Sequence, residues 1–240
     1  MSRQFSLLIL FIAIYLNGFS QTSAWHNPFP KNGLNESYSA TFKAESASKN
    51  TYLFKVKKNR VCVLYDWKGN KAPFGLLTST KKYSSFNLEL EYKWGKRKFE
   101  PRLEQKRDAG ILFHVHGNIL VWPSSLECQI QENDTGDLWV IKGPKVTVKN
   151  TDASTKLVDA SGKKKYVSSV KYANHEKKGW NKVRVEVRAN SSAKFYVNGN
   201  LVNEITNFFD AEGNALSNGY IGIQAEGAEL TYKNIRIQEL

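Results

Sequence analysis

The chain has 240 residues, 41% of them apolar, with 35 Lys and Arg against 22 Asp and Glu and a net charge of +13. The positive surplus raises an acidic polymer or a nucleic acid as partner, yet the charges are interleaved, as in Arg184, Glu186 and Arg188 or Asn87, Glu89 and Glu91, like solvent-facing strand positions. A nucleic-acid partner is therefore set aside, and no apolar run is long enough for a transmembrane helix.

Arg3 precedes an uncharged, mostly apolar run from Phe5 to Phe19, and small and polar residues follow. This is the pattern of a secretory signal peptide over residues 1–24, with cleavage after Ser20 or after Ala24. The expected location is outside the cell or in the periplasm. Loss of Arg3 leaves 34 basic residues against 22 acidic ones, a net charge of +12. Residues 25–50 are rich in Ser, Asn and Lys and read as an irregular lead-in that packs through Trp25, Phe29 and Phe42.

From residue 51 to 240 the chain consists of short alternating segments broken by Gly, Asn, Asp and Pro, without a helical period, which predicts one all-β domain. The clearest strands are 52–56, 60–65, 86–92, 111–115, 126–131, 183–187, 193–197, 220–225 and 229–238. The turn at 189–192 and the Asn198-Gly199 pair both mark tight hairpins. Many short strands with turns between them predict a sandwich or a barrel. Residues 142–180 are polar and lysine-rich and read as long loops with an embedded strand or two. Cys62 and Cys128 each lie in a strand-like stretch and are either paired or free.

Residues two apart on a strand share a face. In 111–116, Ile111, Phe113 and Val115 form one face, and Leu112, His114 and His116 the other. In 126–131, Leu126, Cys128 and Ile130 are the apolar face, and Glu127, Gln129 and Gln131 the polar one. A third strand sets Gly222, Gln224 and Glu226 opposite Ile221, Ile223 and Ala225. If the first two pair as a hairpin, both histidines and the polar row meet on one sheet surface. Imidazole, carboxyl and amide groups on a rigid sheet suit sugar hydroxyls and proton transfer, with Trp122 and Trp139 as stacking faces. His114, His116 and Glu127 also resemble part of a metal shell, so a divalent metal stays open, with calcium at Asn133, Asp134 and Asp137 a separate option. The dense basic stretch of Lys93, Lys96, Arg97, Lys98, Arg102, Lys106 and Arg107 reads as a solvated or substrate-adjacent loop. His175 reads as an exposed loop residue. No nucleophile elbow or phosphate-binding loop is present.

The order of short motifs is specific in combination. Phe74 to Thr78 leads through Tyr83 and Phe86 to Leu90–Gly95, then to Lys106–Ile111, Trp122-Pro123, Glu127, Gln129, Gln131, Gly136 and Asp137. Gly179-Trp180-Asn181, Val197-Asn198-Gly199, and Gly222, Gln224, Glu226, Gly227 and Ala228 complete it. Over about residues 50–240 the chain resembles the 3-keto-disaccharide hydrolase domain family. The resemblance implies a concanavalin A-like jelly-roll sandwich and cleavage of glycosides whose sugar carries a ketone at carbon 3. It points to Glu127 or His114 as the base, with the other positioning it or donating a proton. Asp108, Lys106, His116, Gln129 and Gln131 become candidate contacts to substrate or enolate, with Trp122 and Asp137 beside them and Gln224 and Glu226 on the far side. Where the family carries an arginine between the Trp-Pro pair and the glutamate, this chain has Ser124 and Ser125. A non-catalytic carbohydrate-binding module on the same sandwich is the alternative reading, and a glycosidase with two facing carboxylates is a third.

Overall fold

The computed structural model describes residues 23–29, 39–41, 53–149, 154–160, 164–167 and 174–240. The expected signal peptide lies outside them except for its last two residues, and so does Phe42. The described residues contain no helix, and therefore none long and apolar enough to cross a membrane.

Among the described residues, sixteen strands build two antiparallel sheets. They are β1 (Ser39–Thr41), β2 (Phe54–Lys57), β3 (Arg60–Val63), β4 (Gly75–Thr78), β5 (Phe86–Lys98), β6 (Asp108–His116), β7 (Ser124–Gln131) and β8 (Leu138–Ile141). Then come β9 (Lys145–Lys149), β10 (Thr155–Asp159), β11 (Lys164–Val167), β12 (Asn181–Arg188), β13 (Ser192–Val197), β14 (Asn200–Phe209), β15 (Tyr220–Ala225) and β16 (Ala228–Glu239). The smaller sheet runs β1-β4-β15-β6-β7-β8-β11 and the larger β10-β9-β14-β13-β12-β5-β16-β3-β2.

Local sequence explains most of these elements. The β13–β14 turn places Asn198 and Gly199 at φ 50 and 89, the left-handed backbone that Asn and Gly adopt most readily. Apolar residues of alternate positions, such as Val183, Val185 and Val187 of β12 and Leu126, Cys128 and Ile130 of β7, fill the space between the sheets. Phe113 of β6 meets Phe195 and Phe208 of the opposite sheet edge-on, at 5.9 and 6.4 Å between ring centres. Truncating Phe113 to Ala would cost about 3–5 kcal/mol, because the cavity left between two rigid sheets cannot close. Phe29 joins this core, while Trp25 is partly exposed beneath the Arg236 guanidinium. Cys62 and Cys128 are free thiols on different sheets. The lysine-rich segment holds β9, β10 and β11.

One departure from strict alternation decides what faces the outer surface. β6 and β7 pair in register from Asp108↔Gln131 to Phe113↔Leu126, and the next partner is His116↔Ser124. This is a β-bulge, with His114 at φ 50. Opposite it, the backbone of Gly219 approaches so closely that a Cβ there would stand 2.3 Å from the His114 carbonyl carbon. The bulge reverses the faces of the residues that follow. Val115 packs outside with Leu76 and Leu112, and His114 turns inward against Phe113 and Phe208.

Candidate active site

Glu127 and Gln129 point away from the core on β7, and their neighbours across the ladder are Leu112 and Gly110 of β6. Beyond β6, Gly222 of β15 pairs Leu112 and Ile223 pairs Ile111, which sets Gln224 beside Gly110. Asp108 bridges to Glu226 at the end of the same row. Arg102, Asp108, Trp122, Glu127, Gln129, Trp139, Ile141 and Glu226 line one cleft of about 280 Å³.

The charges in the cleft are unequal in number: three carboxyls and one guanidinium. Arg102 donates from Nη2 to Asp108 Oδ2, and its Nη1 lies 3.8 Å from Glu226 Oε2. Asp108 also accepts from Gln129 Nε2 and Gln131 Nε2, each at 2.9 Å. Glu226 Oε1 accepts from the Trp122 indole N–H at 2.5 Å and from Gln224 Nε2 at 3.0 Å. Burial and then the neighbouring Glu226 push the Asp108 carboxyl up to about 8, while Arg102 and Gln131 oppose the shift. A carboxyl raised that far is a stronger base than a solvated one and exchanges its proton near neutral pH.

Gly110 makes the arrangement sterically feasible. A Cβ on it would lie 1.9 Å from Glu127 Oε1 and 2.3 Å from Gln224 Oε1, so these two side-chain ends occupy the space that any other residue would fill. Gln224 is fully buried under the cleft. The expectation that Gln224 touches substrate is thus corrected, because Gln224 is fully buried and does not line the cleft.

The structure brings together Asp108, Trp122, Glu127, Gln129 and Glu226, with Gln131 behind Asp108. It does not bring the histidines to them. His114, expected on the polar face, is fully buried between the sheets, and its Nε2–H donates to the Ala189 carbonyl at 2.9 Å. Burial lowers its pKa to about 4, so the ring is neutral. His116 donates from Nδ1 to the His114 carbonyl and accepts at Nε2 from the Ser124 hydroxyl, both at 2.9 Å. Both rings therefore have inward or local partners, and the shell of two imidazoles and Glu127 is not formed. Among the described residues no three His, Cys, Asp or Glu side chains stand as a metal-holding group. Lys106 is exposed and pairs with Asp134 at 2.5 Å. Asp137 is buried, and its main-chain carbonyl accepts from Gln129 N. Neither Lys106 nor Asp137 lines the cleft.

Arg102, the cation of the cleft, is the residue that strand periodicity did not select. It lies in the loop between β5 and β6 and within the basic stretch already noted. A larger cavity of about 550 Å³ opens over Trp94 and Arg107, but both of its carboxylates are engaged: Glu176 accepts from Tyr92, Trp94 and the Asn133 N–H, and Glu132 accepts from Arg107. Proton-exchanging groups converge in the smaller cleft.

Among solved structures, a candidate glycosyl hydrolase from Parabacteroides distasonis aligns with a TM-score of 0.54 at 15% identity, over 90% of this chain and 100% of that one. A second candidate glycosyl hydrolase from the same organism aligns at 16% identity and TM-score 0.47 over 85% and 88% of the two chains. A Bacillus subtilis protein of unknown function with a galectin-like fold aligns at 9% and 0.49 over 90% and 94%. The first likeness supports the jelly-roll sandwich as the fold. No curated protein matches the chain in sequence. Residues 16–238 match the sequence profile of the 3-keto-alpha-glucoside-1,2-lyase-like domain, and the chain belongs to that family.

Proposed function

We propose that the protein is an exported enzyme that cleaves the glycosidic bond of 3-keto-glycosides by removing the proton on carbon 2. The ketone at carbon 3 acidifies that proton. A base takes it, the electron pair forms an enolate, and the enolate expels the oxygen on carbon 1 while an acid protonates the leaving oxygen. A carbon 1–carbon 2 double bond results, to which water then adds. One observation carries the reading: Asp108, Glu127 and Glu226 converge with a single cation, Arg102, in one cleft whose sides include Trp122 and Trp139. Asp108 and Glu127 divide the base and acid roles, since His114 is committed to the core. Trp122 and Trp139 offer faces for the sugar ring, and Arg102 and Gln129 offer donors for the enolate oxygen.

Mass spectrometry of the products from a panel of 3-keto-glucosides, with and without chelator, tests the proposal. Aglycone is expected from the keto-sugar and not from the unoxidised glucoside, and Glu127→Gln is expected to remove most of the release. Binding of oligosaccharide with no turnover of any 3-keto-glucoside would favour a binding module and reject the reading.

A further inference from the structure

Gln224 spans two carboxyls with one amide. Its Nε2 donates to Glu226 Oε1 at 3.0 Å, and its Oε1 is directed to the space over Gly110 that Glu127 Oε1 also enters. Gln224 is fully buried, and its Oε1 has no hydrogen-bond partner among the described residues. An amide has a donating and an accepting end, and a carboxylate only accepts. Whichever way the amide is turned, its carbonyl end faces a carboxyl that must present a proton or leave a buried acceptor unsatisfied.

The surroundings decide which carboxyl that is. Glu226 is supplied with donors: the Trp122 N–H at 2.5 Å and Gln224 Nε2 on Oε1, and Arg102 Nη1 3.8 Å from Oε2. Turning the amide would set its carbonyl against an oxygen that already accepts from Trp122. Glu226 is therefore the ionised partner, and the carbonyl faces Glu127.

We propose that Glu127 carries a proton in the resting protein, donated to Gln224 Oε1, and that Gln224 is a positioning residue that keeps Glu127 in its acid form beside an ionised Glu226. Resting on the reading of the site given above, this assigns Glu127 as the acid that protonates the leaving oxygen, and it leaves Asp108 to take the proton from carbon 2. The proton lost from Glu127 is restored by the one gained at Asp108, so each turnover returns the site to its starting charge.

Infrared spectroscopy of the protein without substrate tests the assignment. Carbonyl stretches of protonated carboxyls are expected at neutral pH; Asp108→Asn removes the contribution of the raised Asp108 carboxyl and leaves one band, which is absent when Glu127→Gln is added to that variant. In Gln224→Met the same band is expected to disappear on raising pH about one unit earlier, the equivalent of one lost hydrogen bond. On a 3-keto-glucoside the alkaline limb of the pH–rate profile should move the same way. Protonated-carboxyl intensity unchanged in Glu127→Gln would overturn the proposal, as would an unshifted band in Gln224→Met. Should Gln224→Met not fold, the comparison of Glu127→Gln with the unmodified protein decides. Because no substrate is present, a negative spectrum rejects the resident proton alone, whereas absence of cleavage rejects the proposed reaction and leaves the spectrum standing.

Discussion

Alanine at position 110 perturbs the site with the smallest chemical change. The added methyl would lie 1.9 Å from Glu127 Oε1, 2.6 Å from its Cδ and 2.3 Å from Gln224 Oε1. Ordinary van der Waals contact requires well over 3 Å, so the Glu127 carboxyl must retreat by more than about 1 Å or the ladder between β6 and β7 must part. Gln224 has nowhere to go, being sealed, and Glu127 is only 4% exposed. Overpacking of this kind costs about 1–3 kcal/mol of stability, which an ordinary domain survives. A displacement of about 1 Å at a reacting group costs about 100-fold in rate, so kcat/KM on a 3-keto-glucoside should fall far more than the folded fraction does. Urea unfolding and steady-state release of the aglycone, measured on the same preparation, separate the two effects. A Gly110→Ala protein with unchanged midpoint and wild-type kcat/KM would refute the claim that Gly110 makes room for the acid.

Arg102→Met removes the one cation that lines the cleft among the described residues and leaves Asp108 and Glu226 as buried carboxyls without it; stability should drop by about 3–5 kcal/mol at neutral pH, and less in acid, where the carboxyls take up protons. Urea midpoints at two pH values check this, and a loss that does not grow with pH would count against it. If Asp108 is the base, kcat/KM should rise with pH through a limb near 8, because the raised carboxyl must lose its proton to act; a profile already level well below neutrality would assign the base elsewhere. His114 is held neutral with its pKa at about 4, so the unfolded chain binds its proton first as pH falls below the ordinary value of 6.5. Stability should therefore drop by about 3 kcal/mol between those limits through this residue alone, and His114→Gln should remove that part of the slope while turnover persists.

Much of the site follows from alternation alone. Leu126, Cys128 and Ile130 face the core and Glu127 and Gln129 face out, as period two requires, and Gly222, Gln224 and Glu226 behave likewise. Alternation fails where a partner far along the chain intervenes. The bulge at His114 answers to the close approach of Gly219, and nothing within β6 distinguishes His114 from a residue in regular pairing. The same period assigns a face but not a depth. Gln224 and Glu127 stand on one surface, yet only the missing side chain of Gly110 lets both of their ends enter the same space, with Gln224 fully buried. Arg102 escapes the reading for a different reason: it is one of seven basic residues spread over the end of β5 and the loop that follows, and which of them meets Asp108 depends on the path between β5 and β6.

The charge count of the cleft bears on catalysis against mere binding. A surface that only holds sugar is served by amides, hydroxyls and aromatic faces, and would gain nothing from acids that have to be desolvated. Here Asp108, Glu127 and Glu226 are each less than one-tenth exposed, and one guanidinium stands against them. Ionising all three would leave two uncompensated buried charges, a cost that a site escapes by retaining a proton. A retained proton on one carboxyl and a raised affinity for protons on another are what an elimination with a poor leaving group requires: an acid already loaded, and a base stronger than a solvated carboxylate. Replacing the acids by their amides would improve a binding surface and would disable this one, so the sign of the change in affinity and turnover on Glu127→Gln distinguishes the two uses of the same sheet.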